Sequence, residues 1–306
     1  MRSPAELAGV IARLPRALSL ARRYGRPAAV LYFGESPGDD LLATAVVRQW
    51  RRTHGSRVAY LTKYPELFAG NDDVAFTDSY DPLLAGAFQL LSVPRIRLGY
   101  HTYDAVTDRT VGPPGVHLIN LMCDSASLPR LVDPAPVFHF ADGERPARAA
   151  SPRLVVQSSV MAARFPNRNK EWFPERMQAV VDALSTEAEI VQIGSSSDPP
   201  LTGATDLRGR TSVRESAAIL AGAWGFIGLI GFPMHLARAV GTPSVIVFGG
   251  REHPAEDGYP GNRNLFTEMH CSPCWFVNHC PYDRECMRRI TAEEVIAEAR
   301  TLIRGV

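Results

Sequence analysis

The chain has almost no net charge: across 306 residues, 33 basic and 32 acidic side chains leave a formal +1. No summed field of either sign recruits nucleic acid or an anionic membrane, so a polyanion would have to be recognised locally. No stretch approaches the roughly 18 consecutive apolar residues of a membrane span. A signal peptide is not expected either, because Pro4–Arg23 carries charges every few residues and reads as an amphipathic surface helix broken or kinked at Pro15. A cytoplasmic compartment is the expectation. No internal repeat of solenoid or propeller period is visible, and no Asp-x-Asp triplet marks a magnesium–diphosphate site.

Cysteine is scarce and unevenly placed. Of five cysteines, four fall within Cys271-Ser-Pro-Cys274-Trp-Phe-Val-Asn-His-Cys280-Pro-Tyr-Asp-Arg-Glu-Cys286. In a reducing compartment the C-x2-C-x5-C-x5-C spacing favours metal over disulfides. Three readings stay open: a structural tetrathiolate of zinc or mononuclear iron, an iron–sulfur cluster, or plain thiols, with His270 and His279 able to replace one sulfur. Four protein ligands would leave a tetrahedral ion no open position, so a catalytic role is not expected. The segment also lacks the basic and aromatic surroundings of a zinc-ribbon nucleic-acid module. Cys123 stands alone and reads as a small buried hydrophobe.

The remaining pattern is α/β. Ala28–Phe33 is an apolar run, Leu42, Val46 and Trp50 then recur at helical spacing, and Val58–Thr62 is a second strand. Gly143–Pro152 has neither period nor β-branched content and reads as a linker. After it Leu154–Gln157, Ile190–Ile193, Gly225–Gly228 and Pro243–Phe248 alternate with helical segments, two of which open on the capping boxes Ser212-Val-Arg-Glu215 and Thr291-Ala-Glu-Glu294. Alternation of this kind argues for parallel sheets covered on both faces. The expected architecture is two Rossmann-like, doubly wound domains, 1–147 and 148–306, facing an interdomain cleft at the carboxyl ends of their strands.

Several residues stand where such a cleft would be. Asp39 follows a strand and opens a helix, which suits a general base and equally an ordinary helix cap; Asp40 and Glu35 compete with it. Lys170 sits in a polar loop before a helix, where a solvated lysine is the plain alternative. Ser158 and Ser159 follow a strand end and can bond phosphate or simply form a turn. His235 lies in the first turn of a helix after Gly231-Phe-Pro-Met234, where backbone N–H groups make an anion site.

Three blocks resemble glycosyltransferase family 9, the ADP-heptose:lipopolysaccharide heptosyltransferases of GT-B fold. They are Gly38-Asp39-Asp-Leu-Leu-Ala-Thr44-Ala-Val-Val-Arg48, Asn169-Lys170-Glu-Trp172-Phe-Pro174, and Met234-His235 through Gly241-Thr-Pro243 and Phe248-Gly249 to the cysteine cluster. The resemblance implies an inverting, metal-independent glycosyltransferase, with an N-terminal acceptor domain and a C-terminal donor domain. In it Asp39 is the base, Lys170 and His235 meet the donor pyrophosphate, Met234 beside His235 belongs to the donor site, and Gly194, Gly209 and Thr211 lie on loops that hold the nucleotide. The partners implied are a nucleoside diphosphate sugar of ADP-heptose type and a hydroxyl acceptor; a zinc or iron ion at Cys271, Cys274, Cys280 and Cys286 is structural, and no catalytic magnesium is required. One departure matters. Ile230-Gly231-Phe232-Pro233 stands where the family usually has an acidic residue, which keeps open a GT-B-shaped binding or scaffold protein, or a nucleotide-sugar epimerase.

Overall fold

The computed structural model describes residues 3–34 and 36–304; Glu35, a competitor for the role of Asp39, lies outside them. The chain forms two compact units. The first comprises the residues up to Tyr100 with Ile119–His139, and the second His101–Leu118 with the residues from Phe140 on.

The first unit is built on a parallel sheet of β1 (Val30–Tyr32), β2 (Val58–Thr62), β3 (Val74–Ser79) and β4 (Arg95–Arg97), in the order β3-β2-β1-β4. The helices around it include α1 (Pro4–Ala12), α2 (Leu14–Tyr24), α3 (Pro37–His54), α4 (Pro82–Leu90) and α5 (Leu118–Ser125). The N-terminal helix, expected to be broken or kinked at Pro15, is two helices, and the break falls at Arg13. Pro15 bars the residues just before it from continuing the first helix but suits the opening turn of the second, so the break falls ahead of the proline. α3 is a well-bounded helix. Asp39 complements its N-terminal dipole, Arg51 and Arg52 its C-terminus, and left-handed Gly55 ends it.

The second unit begins with a small antiparallel hairpin, β5 (Thr102–Asp104) and β6 (Arg109–Val111). Its main sheet holds β7 (Arg153–Val156), β8 (Glu189–Gln192), β9 (Thr205–Asp206), β10 (Gly225–Leu229), β11 (Ser244–Gly249) and β12 (Arg263–Phe266). The order is β12-β11-β10-β7-β8-β9 and every pair is parallel. α6 (Pro174–Leu184) buries Met177, Val180, Val181 and Leu184, the four residues whose spacing marks it in the sequence. α7 (Val213–Gly222) opens on the Ser212–Glu215 capping box, and α8 (Phe232–Val240) ends at left-handed Gly241. Short α9 (Pro254–Asp257) and α10 (Glu285–Arg289) precede α11 (Ala292–Arg304), capped reciprocally by Thr291 and Glu294. Trp172 is fully buried among Leu154, Met177, Ile290 and Val295, and donates its indole N–H to the Ile290 carbonyl over 3.3 Å. No helix among the described residues is long and apolar enough to cross a membrane.

Candidate active site

Each sheet has a point where the strand order reverses, and in open α/β sheets ligands bind outside the carboxyl ends of the strands at that point. In the first unit it lies between β1 and β4. The residues after β1 lead into the first turn of α3, and those after β4 reach Tyr100, whose hydroxyl donates to Asp39 Oδ1 over 2.5 Å. Tyr100 also stacks on Phe33, with ring centroids 5.0 Å apart. Asp39 is half-buried at this crevice.

Its neighbour Asp40 points the other way. Fully buried, it accepts the Tyr60 hydroxyl at 2.9 Å and the Thr62 hydroxyl. Burial, only partly offset by those two hydrogen bonds, pushes its carboxyl up to about 7. Two consecutive acids therefore have different surroundings, one at the crevice and one inside.

In the second unit the strand order reverses between β7 and β10. Ser158 and Ser159 follow β7 and are buried. The Ser158 hydroxyl donates to the Pro199 carbonyl at 2.7 Å and accepts from Gln192 Nε2 at 2.8 Å. Ser159 accepts the Met161 N–H and also bonds the Glu171 side chain. The loop after β8 is tight: the Gly209 N–H donates to the Gly194 carbonyl over 2.8 Å. Gly194 holds φ at +138° against Asp198, and Gly209 holds +64° against Ser196, conformations that favour glycine. The Thr211 hydroxyl shares a hydrogen bond with Ser216 over 2.8 Å.

After β10, Ile230 is buried and Gly231 leads into α8. Met234 is a fully buried packing residue. His235 shares a 2.7 Å hydrogen bond between Nδ1 and the Tyr259 hydroxyl, while its Nε2 lies 3.6 Å from Asp257. Burial, with the positive field of Lys170 and the nearby His117, pushes its imidazole down to about 3. It is a neutral ring at physiological pH, able to hydrogen-bond but not to act as a cation.

Lys170, one of only two lysines in the chain, is no solvated loop residue. It closes a 3-10 turn and places Nζ 2.9 Å from Glu252 Oε1, which Arg251 also engages. Burial pushes the Glu252 carboxyl up, but the two cations outweigh it and hold it below the usual range. The segment after β11 thus buries four charged residues, Arg251, Glu252, Glu256 and Asp257. Sequence reading missed them because Arg251–Tyr259 has the composition of a solvated loop. The signal was its place after a core strand, where such charges sit at a ligand crevice.

The cysteine-rich loop runs beside these residues. The hairpin pairs with it: the Thr110 N–H donates to the Trp275 carbonyl at 2.9 Å, Val277 N–H to the Asp108 carbonyl at 2.9 Å, and Arg109 Nε to the Cys274 carbonyl at 2.9 Å. Burial pushes the Cys274 thiol up to about 11 and raises Cys286 as well, with Cys271 adding to both. Yet no three His, Cys, Asp or Glu side chains among the described residues converge as a metal-ligand set. As placed, Cys271, Cys274, Cys280 and Cys286 do not fit a tetrathiolate.

Residues 150–283 match glycosyltransferase family 9 (heptosyltransferase). No curated protein matches the chain in sequence. Among solved structures, the iron-containing dodecameric glycosyltransferase TibC of enterotoxigenic E. coli is similar over 92% of this chain and 77% of its own, at 20% identity and a TM-score of 0.71. E. coli ADP-heptose lipopolysaccharide heptosyltransferase II is similar over 90% of this chain and 99% of its own, at 14% identity and a TM-score of 0.64. A family 9 glycosyltransferase from Veillonella parvula gives 91%, 97%, 12% and 0.65 in the same order. The fold is of the GT-B class. The family match lies in the second half of the chain, and the protein is a glycosyltransferase.

Proposed function

We propose that the protein is an inverting, metal-independent transferase that moves a heptose-like sugar from a nucleoside diphosphate donor to a hydroxyl acceptor. The acceptor side is assigned to residues 1–147 and the donor side to 148–306. The acceptor oxygen attacks the anomeric carbon and loses its proton to Asp39, while the bond from that carbon to the diphosphate oxygen breaks. Lys170 and the N-terminal N–H groups of α8 take up the charge on the leaving diphosphate. His235 contributes as a neutral hydrogen-bonding group.

The observation that carries this reading is that Lys170 and His235 are electrostatically coupled within the family 9 segment, beside the reversal point of its sheet. A TibC structure in complex with ADP-D-β-D-heptose supports the donor class. The cysteine spacing, with the iron in TibC, supports a structural zinc or iron ion, and the placement of the thiols argues against one. Metal analysis of the purified chain decides between them.

A second reading, a GT-B-shaped binding protein without transfer activity, is favoured by one feature: buried Ile230 stands where the family's acid is expected. Mass-spectrometric screening of nucleoside diphosphate sugars with and without hydroxyl acceptors tests both. Release of nucleoside diphosphate with sugar gained by an acceptor supports transfer. Tight binding without turnover of any donor favours the second reading, and isomerisation of a donor alone would point to an epimerase.

A further inference from the structure

The cysteine-rich loop grips Lys170 from two sides. On the backbone side, the Asn169 N–H donates to the Val277 carbonyl at 3.1 Å and Asn169 Nδ2 to the His279 carbonyl at 2.8 Å. The Arg168 N–H donates to Asn278 Oδ1 at 3.1 Å, and Arg284 Nη1 to the Glu171 carbonyl at 2.9 Å. On the side-chain side, Lys170 Nζ meets Glu252 Oε1 at 2.9 Å, and the same oxygen takes Arg251 Nη1. Arg251 then donates through Nε to the Phe276 carbonyl at 2.7 Å and through Nη2 to Thr110 Oγ1 at 2.9 Å. Glu252 is 2% exposed, and its Oε2 takes no donor among the described residues.

We propose that Glu252 is the positioning residue of the diphosphate clamp, tying the Lys170 ammonium through Arg251 to the carbonyls of the cysteine-rich loop. The proposal rests on reading Lys170 as the diphosphate cation. The triad of Lys170, Glu252 and Arg251 sums to +1, so it still attracts an anion. A free lysine gives up rotamer freedom each time it grips a phosphate, whereas one already held gives it up on folding. Simple Coulomb repulsion argues the opposite: a carboxylate beside a diphosphate weakens binding, and its removal should tighten it. The two effects differ in sign, so a binding measurement separates them.

The experiment titrates ADP and inorganic pyrophosphate into the full chain by calorimetry, for the wild type, Lys170→Ala, Glu252→Gln and the double variant. Glu252→Gln is expected to weaken both probes by about tenfold, with the loss vanishing in the Lys170→Ala background, as coupled residues require. Tighter binding overturns the proposal, as does an equal loss in both backgrounds, which would mark a merely structural role. Thermal unfolding checks the fold of each variant. Should Glu252→Gln not fold, Arg251→Lys serves instead, since an ammonium cannot reproduce the guanidinium's several directed contacts; the same dependence on Lys170 is expected, and its absence overturns the proposal. Loss in Lys170→Ala with none in Glu252→Gln removes this proposal alone. A wild type that binds neither probe better than Lys170→Ala removes the clamp reading and the proposal with it.

Discussion

The Tyr60 hydroxyl donates to Asp40 Oδ1 over 2.9 Å inside the first unit, so a fully buried acid sits one residue from the proposed base. Asp39, Glu66, Tyr60 and Tyr64 are the titratable groups coupled to it. With its carboxyl raised from 3.8 to about 7, the folded chain holds a proton that the unfolded chain releases between those values. The resulting stabilisation, on the order of a few kcal/mol, is complete below the lower value and lost as pH rises through the upper. Urea midpoints at pH 5 and pH 8 are expected to differ less in Asp40→Asn than in the wild type. Equal differences would contradict the raised pKa.

Asp39→Asn removes the proton acceptor and leaves the second unit untouched. Turnover is expected to fall by roughly a hundredfold or more while ADP binding stays constant. Tyr100→Phe, which deletes only the hydroxyl on Asp39, should lower turnover by a smaller factor. Initial rates and calorimetry check both, and full activity in Asp39→Asn would remove the residue from the mechanism.

His235 has its folded pKa pushed down to about 3 from 6.5. Its contribution to stability is therefore present above the unfolded value and is lost as pH falls through it toward the folded one. Nitrogen NMR of the imidazole should show a neutral ring at pH 5, where an exposed histidine is charged. A protonated ring at that pH would restore it as a phosphate cation.

How much of this was legible beforehand depends on how local its cause is. The Ser212 and Thr291 capping boxes, the apolar face of α6 and the glycine stop of α8 are set by residues within one or two turns, and sequence reading finds them. The ion triad is not local: Lys170 and Glu252 are 82 positions apart, and neither announces the other. The docking of the hairpin is no more local, since its partners at 274–279 lie more than 160 residues on. Asp40 looked like a mere competitor of Asp39 because helix position alone does not tell which of two adjacent acids turns toward Tyr60 and Thr62.

Thiol labelling should follow burial. Burial pushes Cys123 up to about 12 and Cys274 up to about 11, so both remain protonated at neutral pH and slow to alkylate. Brief iodoacetamide treatment of the native chain at pH 7.5, read by peptide mass spectrometry, is expected to label Cys271 and Cys280 well ahead of these two. Rapid labelling of Cys123 would show that its pocket opens.

Gly209→Ala places a Cβ 2.8 Å from that of Ser196 at a φ of +64°. Left-handed strain and crowding together should cost about 1–3 kcal/mol, lowering the denaturant midpoint. An unchanged midpoint would mean that the loop relaxes freely.

The second unit is assembled from two separate stretches of chain, with Ile119–His139 of the first unit between them. On the ribosome the hairpin at 102–111 therefore emerges long before Arg251 and the loop at 274–279, with which it makes its hydrogen bonds. Its late pairing carries a high loop-closure cost and makes this part of the fold slow by topology. A protein cut between 147 and 148 would lose the hairpin from its own second half, so the two halves of the sequence are not two independently excisable pieces.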